Sequence, residues 1–562
     1  MVDELDPNAD GDLPEPLDPS VPAADLTTAT TGPGPTPAAT SARAQVRGSS
    51  LLLVGRAISM AVNLLVQVLT VRYLTRTDYG AFALALSFVD VGQMIATFGI
   101  DRTITRFLSI DDEEGRYDRL FGTLLFSIAT VGSLGLAVVL VVDGFQSVVT
   151  GGPAGQGQAP ILLSILIVLA PIQAFDSLMT GVLSVFASPR SIFVRRFVVA
   201  PGLKLAVIAL LVFGQAGVQF LAWGYVVAGL IGLVVYGFLL ARLFQVRGLW
   251  RHFRPRHLDI PVRELLLFTV PLLTTDLVYI ILNSSDAILL GIFRGVDDVA
   301  AFRVIVPAAG LNQLVFSSFT LLFVPAASRL FSRNDRDGVR DLYWQTAIWM
   351  AVFSFPLFAL TFSLAGDVTR QLYGDRYAGS SVYLAMLSLA YYFNTALGFN
   401  GLTLRVYGVM RPIVLINIAA AVTNLVLNLA LIPLFGPLGA AIGTSTTLIV
   451  HNVLKQIGLH RATGISFFEP HYLRVYGVIG AGAIGLLVIQ AALGPLRGLA
   501  DLSIIGIHGF DVVFLIELLL AALVSGLVFA LTRSELRIGD TFPELLRIPV
   551  IGRLLGPDRR PD

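Results

Sequence analysis

Fourteen apolar stretches long enough to cross a bilayer can be marked between residues 49 and 532, and the basic residues fall almost entirely in every second gap between them. With the N-terminus taken as cytoplasmic, 30 of the 39 Lys and Arg lie in cytoplasmic segments or at the cytoplasmic ends of spans, 6 in outer loops and 3 deeper inside spans. Basic loops are retained on the cytoplasmic side during insertion, so this segregation orients the whole chain. It predicts a multi-pass protein of the cell membrane. The even number of spans puts both termini in the cytoplasm.

A chain that is 55% hydrophobic and 14% charged, with a mean hydropathy of +0.77, cannot cover its apolar surface as a soluble globule. In lipid the backbone must satisfy its own hydrogen bonds, and continuous apolar runs of about 20 residues do so as helices, not as the alternating strands of a barrel. The expected fold class is therefore an all-α integral membrane protein of about 14 transmembrane helices. The net charge of +1 carries no nucleic-acid patch, and the absence of cysteine excludes disulfides, thiol catalysis and Fe–S centres.

The spans run approximately 49–71, 80–99, 120–142, 160–187, 192–213, 218–241, 264–291, 299–326, 342–364, 380–403, 411–433, 437–459, 473–494 and 510–532, with Pro171, Pro201, Pro271, Pro307 and Pro356 as expected kink points. Residues 1–45 form a tail whose first 40 residues hold eight acids and no base, a composition that reads as disordered. Residues 242–263 form a basic linker between a first six-helix lobe, 46–241, and a second, 264–460. An additional helix pair spans 461–532, and 533–562 is a tail with an amphipathic pattern of Leu, Ile and Arg.

The two lobes share an internal duplication. A shift of 220 residues places Asn63 on Asn283, Asp78 on Asp298, Ala81-Phe82 on Ala301-Phe302 and Gln93 on Gln313; shifts of 221 and 222 place Arg190 on Arg411, Gly214 on Gly436 and Gly217 on Gly439. The same element order in each copy implies parallel repeats about an axis along the membrane normal, with a site between the lobes.

Particular motifs carry a family resemblance. Gly55-Arg56, the run from Val71 to Ala83, Gly99-Ile100, Asp286 to Gly291, and above all Asn424 to Asn428 with Leu431 to Ala441, resemble the polysaccharide biosynthesis (oligosaccharide flippase) family of the multidrug/oligosaccharidyl-lipid/polysaccharide (MOP) exporter superfamily. The resemblance implies two six-helix lobes with an extra pair. It also implies translocation of a polyprenyl-linked oligosaccharide from the cytoplasmic to the outer leaflet by alternating access. Lipid-linked glycan and membrane lipids are the expected partners, and a glycan polymerase or transferase is the candidate protein partner.

Polar residues inside the spans point to the same region. Arg56, Ser59, Asn63, Gln67 and Thr70 recur at steps of three and four and so line one face of span one. Span two carries Asp90, Gln93 and Thr97; span seven Asp276, Tyr279, Asn283 and Asp286; span eight Arg303, Asn312, Gln313 and Ser317. The superfamily resemblance implies that these four spans line the central cavity. A charge at mid-bilayer costs a few kcal/mol, so it is paired, solvated or functional. Arg56 and Arg303 are the candidates to hold phosphate oxygens, and Asn63, Gln67, Asn283, Asn312 and Gln313 to hold sugar. Asp90, Asp276 and Asp286 are the candidate gating or ion-coupling carboxylates, for H⁺ or Na⁺, and the duplication suggests an Arg56–Asp276 ion pair between lobes.

The opposing reading, that uncharged stripe residues only hold helices together, stands beside this one. Asp176 with Gln173 and Thr180, and Lys204 beside Pro201, read as local structural pairs or as part of the first lobe's cavity wall, with structure favoured; Arg72, Arg102, Arg195 and Arg196 read as snorkelling cations. The face of Asn417, Asn424 and Asn428 reads as helix packing, and Asp111 to Glu114 as a solvated acidic run. No zinc motif, Walker sequence or catalytic residue is found, so neither a cofactor nor an enzyme is expected. A multidrug or organic-cation antiporter of the same superfamily is the alternative, ahead of a membrane glycosyltransferase or oligosaccharide ligase.

Overall fold

The computed structural model describes residues 37–144, 152–155, 157–186, 193–496 and 512–536. The acidic tail before residue 37, the amphipathic tail beyond 536 and Arg190 lie outside the described residues, as do the side chains of Arg195 and Arg196. The chain forms two compact units, 1–47 and 48–562. Of the first, only the opening turns of a helix are described.

Among the described residues there is no β-strand. The helices are α1 (Pro37–Tyr73), α2 (Arg76–Thr97), α3 (Ile100–Glu113), α4 (Tyr117–Gly144), α5 (Ala159–Leu166), α6 (Leu169–Phe186), α7 (Ala200–Phe213), α8 (Val218–Val246), α9 (Val262–Arg294), α10 (Val296–Arg303), α11 (Val306–Gly310), α12 (Gln313–Ser332), α13 (Arg336–Phe358), α14 (Ala365–Tyr373), α15 (Ser381–Ala396), α16 (Asn400–Val406), α17 (Met410–Phe435), α18 (Pro437–Thr463), α19 (Leu473–Leu493), α20 (Val512–Leu531) and α21 (Arg533–Leu536). Nine described helical stretches are long and apolar enough to cross a membrane, or ten if the bent α10–α12 segment is one span. This is fewer than the fourteen expected. One reason is visible in α18, where Thr444, Ser445, Thr446, Thr447, His451 and Asn452 lower the hydropathy of a helix that buries most of this polar surface against its neighbours.

The element boundaries keep the spacing of the duplication. α2 and α10 begin at Arg76 and Val296, 220 residues apart; α4 and α13 begin at Tyr117 and Arg336, and α8 and α18 at Val218 and Pro437, each 219 apart. Breaks accompany four of the five prolines. α5 gives way to α6 just before Pro171, a π-helical turn at Val194–Val199 precedes Pro201, α10 ends before Pro307, and a π-helical turn at Ala359–Ser363 follows Pro356. α9 instead runs unbroken from Val262 to Arg294 through position 271.

In lipid there is little hydrophobic drive between helices, so close approach falls to small residues. A Cβ on Gly80 of α2 would lie 1.9 Å from the carbonyl oxygen of Val296, which begins α10. Gly436, at φ 57°, turns α17 into α18, and a Cβ on Gly439 would lie 2.3 Å from the Leu431 carbonyl oxygen. The glycines of the Leu431–Ala441 motif thus make a tight helical hairpin. Around these contacts α4, α8, α17, α19 and α20 turn most of their apolar surface outward, with Val234, Leu434 and Leu519 strongly exposed, whereas α13 is largely enclosed.

Candidate functional site

The first half of the chain meets the second along α2, α9 and α10, and each end of that seam is tied. At the end expected to face outward, Thr77 Oγ1 donates to Asp297 Oδ1 at 2.8 Å and Arg76 Nε to the Asp297 carbonyl at 3.1 Å. Nearby, Arg72 donates to the carbonyls of Gln371 and Leu372, and Arg376 to that of Val71. Arg72 is therefore a clasp between α1 and the end of α14, not a snorkelling cation. At the opposite end, Thr103 and Thr269 share a hydrogen bond of 2.8 Å, Arg119 pairs with Glu264, and Arg106 lies 4.6 Å over the Phe268 ring.

Between these ties lies Arg303. It ends α10, where the chain bends before Pro307, and its guanidinium donates to Ser87 Oγ of α2 at 2.6 Å and to the Asn283 carbonyl of α9 at 3.4 Å. Its charge acts on Asp90 of α2 and Asp286 of α9, so one cation serves carboxylates from both halves. Asp286 is buried and accepts the Ala287 amide at 2.7 Å. Gln67 of α1 closes the cluster by donating to the Val304 carbonyl at 2.9 Å and the Tyr79 hydroxyl at 3.2 Å. Such a guanidinium, half engaged and half-buried, has donors left for a planar oxyanion.

Asp90 is itself exposed to a cavity of about 380 Å³ within the first half, lined also by Gln93, Gln173, Asp176, Ser177, Lys204 and Tyr225. The Lys204 ammonium lies 5.7 Å from the centre of the Tyr225 ring. Asp176, Gln173 and Lys204 are therefore cavity wall, the less favoured of the two readings the sequence left open. The signal was present, since a lysine inside a span is by itself a functional candidate.

The other expected site residues scatter. Asp276 pairs with Arg102 at 2.8 Å, not with Arg56, because α9 leans its first half on α3 and carries Asp276 toward the Arg102 end. Arg102 is thereby an ion-pair partner, not a snorkelling side chain. Arg56 is exposed on α1 and, among the described residues, makes no ion pair. Asn63 is exposed and donates to Ser59 at 3.2 Å. Asn283 is exposed, with its side chain on the Tyr279 carbonyl at 2.8 Å. Asn312 is fully buried in the second half, where it donates to the Ala309 carbonyl and Thr361 Oγ1 and so braces the bend before α12. Gln313 next to it is exposed.

Two further expectations have clear outcomes. The face of α17 packs as expected: His451 bonds Asn417 at 2.8 Å, and Asn424 accepts from Ser285 and Asn428. The acidic run of α3 is not simply solvated, because Asp111 is buried between Arg116 and Arg119, and Asp112 lies 3.8 Å from Arg247. Among the described residues no group of His, Cys, Asp and Glu is arranged to hold a metal.

Comparison with known proteins follows this geometry. The family model of polysaccharide biosynthesis proteins matches residues 45–331 of the 562, and a second model, MatE, matches residues 271–430. The uncharacterised membrane protein MJ1068 of Methanocaldococcus jannaschii is 24% identical over 420 residues, covering 71% of this chain and 80% of that protein. The fold is similar to that of the lipid II flippase MurJ in an inward closed conformation, with a TM-score of 0.61 and 15% identity over 88% of this chain and 99% of MurJ. It is also similar to an inward-facing multidrug resistance MATE family transporter of the MOP superfamily, at 0.57 and 13%, covering 73% of this chain and 96% of that one. A multi-pass helical chain matched by that family model over about half its length belongs to the polysaccharide biosynthesis protein family.

Proposed function

We propose that this protein is a flippase that carries a polyprenyl-linked oligosaccharide or polysaccharide precursor from the cytoplasmic to the outer leaflet of the cell membrane. Both termini are cytoplasmic in this reading. The observation that carries it is Arg303, a cation held at the seam of the two halves by a hydroxyl and a carbonyl, with carboxylates on either side. A phosphate or pyrophosphate of the lipid carrier takes the open donors of that guanidinium. The exposed amides of Asn63 and Asn283 and the exposed Arg56 extend the polar surface toward the sugar.

Asp90 and Asp286 hold Arg303 while no substrate is present. They exchange it for a coupling cation, H⁺ or Na⁺, as the anionic headgroup arrives. Alternation occurs by parting one end of the α2–α10 and α3–α9 seam while the other stays tied. The transport step makes and breaks no covalent bond, so the protein is not an enzyme, and a polymerase or transferase takes the product. The second reading, export of an organic cation, is favoured by the MatE match over residues 271–430. An arginine at the centre of the site opposes a cationic cargo.

The test is leaflet-resolved accessibility of lipid-linked oligosaccharide in vesicles from cells expressing wild type, Arg303→Ala or Arg303→Lys at equal levels. We expect the lipid to accumulate on the cytoplasmic face in Arg303→Ala and partial recovery in Arg303→Lys, which keeps charge but not the fork. Unchanged lipid distribution with loss of organic-cation efflux would move the protein to the second reading.

A further inference from the structure

The cavity beside Asp90 shares a wall with another. A second cavity, of about 530 Å³, is lined by Asp101, Arg102 and Thr105 of α3, by Asp176, Ser177, Thr180, Gly181 and Ser184 of α6, and by Tyr236 of α8. Asp176 and Ser177 belong to both cavities. Along α6 the polar residues Gln173, Asp176, Ser177, Thr180 and Ser184 recur at helical spacing, so they make one stripe about 16 Å long. Ser184 is exposed at the end expected to face the cytoplasm, and Asp90 lines the inner cavity at the other end, within the field of the Arg303 charge. Neither the Arg303 cluster nor the seam uses this stripe.

We propose that the two cavities are one water-filled, cation-selective track by which a proton enters the first half, passing from Ser184 and Asp101 by Asp176 to Asp90. Carboxylates stand at three levels, with hydroxyls of Ser177, Thr180 and Ser184 between them, which is the donor–acceptor inventory a proton relay needs. The groups that face Asp176 are Asp90 of α2, Asp101 and Arg102 of α3, Lys204 of α7 and Tyr225 and Tyr236 of α8. Arg102 is engaged by Asp276. Lys204 decides the identity of the cation. A metal ion entering the inner cavity must shed water beside an ammonium, whereas a proton moves along acceptors and water and needs no room of its own.

At the end of the track the proton forms an O–H bond on the Asp90 carboxylate. That neutralises Asp90 and removes its charge from the field at Arg303, so protonation from the cytoplasmic side readies the guanidinium for an anion. This consequence rests on the reading of Arg303 given above, but the track itself does not.

The chain has no native cysteine, so single cysteines can be placed in the full-length protein directly. Ser177→Cys, Thr180→Cys and Ser184→Cys are labelled in sealed vesicles of known orientation with a cationic trimethylammonioethyl or an anionic sulfonatoethyl methanethiosulfonate. We expect labelling from the side that carries the basic linker. The cationic reagent should be favoured on the order of tenfold beyond its preference for a free thiol, as an acidic cleft concentrates cations. Asp101→Asn should shrink that preference, and exchanging Na⁺ for choline should leave the rates unchanged. Ser184→Cys at the mouth serves as the folding control for the two deeper sites. No labelling of Ser177→Cys or Thr180→Cys from that side in vesicles where Ser184→Cys reacts, or no cationic preference, would overturn the track. Protection by Na⁺ but not choline would overturn the proton as its occupant. None of these readouts involves lipid transport, so they fail separately from the flippase reading.

Discussion

Arg102 and Asp276 show how one residue's role depends on its neighbours. Arg102 is half exposed while the Asp276 side chain is only 10% exposed, so the pair protects the buried partner more than the surface one. Arg102→Ala should therefore cost roughly 1–3 kcal/mol by stranding a buried carboxylate, read as a lowered thermal midpoint in detergent. The exchanged pair Arg102→Asp with Asp276→Arg should recover part of that loss; Arg56→Asp with Asp276→Arg should recover none. A milder case lies in the loop before α19, where Arg340 Nη2 donates to Glu469 at 2.9 Å and Ser466 adds a second bond at 2.8 Å. These bonds hold the Glu469 carboxyl below its ordinary range, so their stabilisation is present above that range and is lost as pH falls through the lowered value. The pair is partly exposed to solvent, which screens it, and it contributes about 1 kcal/mol or less. The gap in thermal midpoint between wild type and Arg340→Ala should close as pH falls below about 4, and a gap that persists there would mean the arginine acts through packing.

Helices join here where side chains are absent. Gly80 is the clearest case, because the atom its Cβ would strike is the backbone oxygen of Val296, and neither backbone can give. Gly80→Ala should cost roughly 1–3 kcal/mol, as overpacking does, or part α2 from α10. Gly237→Ala, whose Cβ would meet nothing within 4 Å in the interior of α8, should be neutral or slightly stabilising. Thermal unfolding of the two variants separates the contact from the general effect of losing a helical glycine. Most of this level was legible in advance. The apolar runs and the constant shift near 220 residues located the helices, and four of the five prolines marked breaks. Position 271 did not, whereas the span marked at 437–459 is matched by α18 despite its many polar residues.

For the whole molecule, both ends of the seam are tied at once, and the end expected to face outward is held by the Thr77–Asp297 bond together with bonds from Arg72, Arg76 and Arg376. Thr77→Cys with Asp297→Cys, in a chain that has no other cysteine, should cross-link under oxidation and stop transport, with recovery on reduction. Full transport by the cross-linked form would mean that this end need not open. Segregated arginines and apolar runs determined that the chain is a helical membrane protein and how it is expected to lie, because lipid penalises every unsatisfied backbone group and every unpaired charge. The polar stripes likewise singled out Asp90, Asp286 and Arg303 as candidates, and in the fold the Arg303 charge acts on both carboxylates. Which arginine meets which aspartate was decided only by tertiary structure. The lean of α9 onto α3 carries Asp276 to Arg102, the fold buries Asn312 at a bend, and Lys204 is turned into a cavity instead of the packing favoured for it beside Pro201. A helical pattern fixes which face a residue occupies, but the partner of that face is set by how distant helices cross, and no local spacing records it.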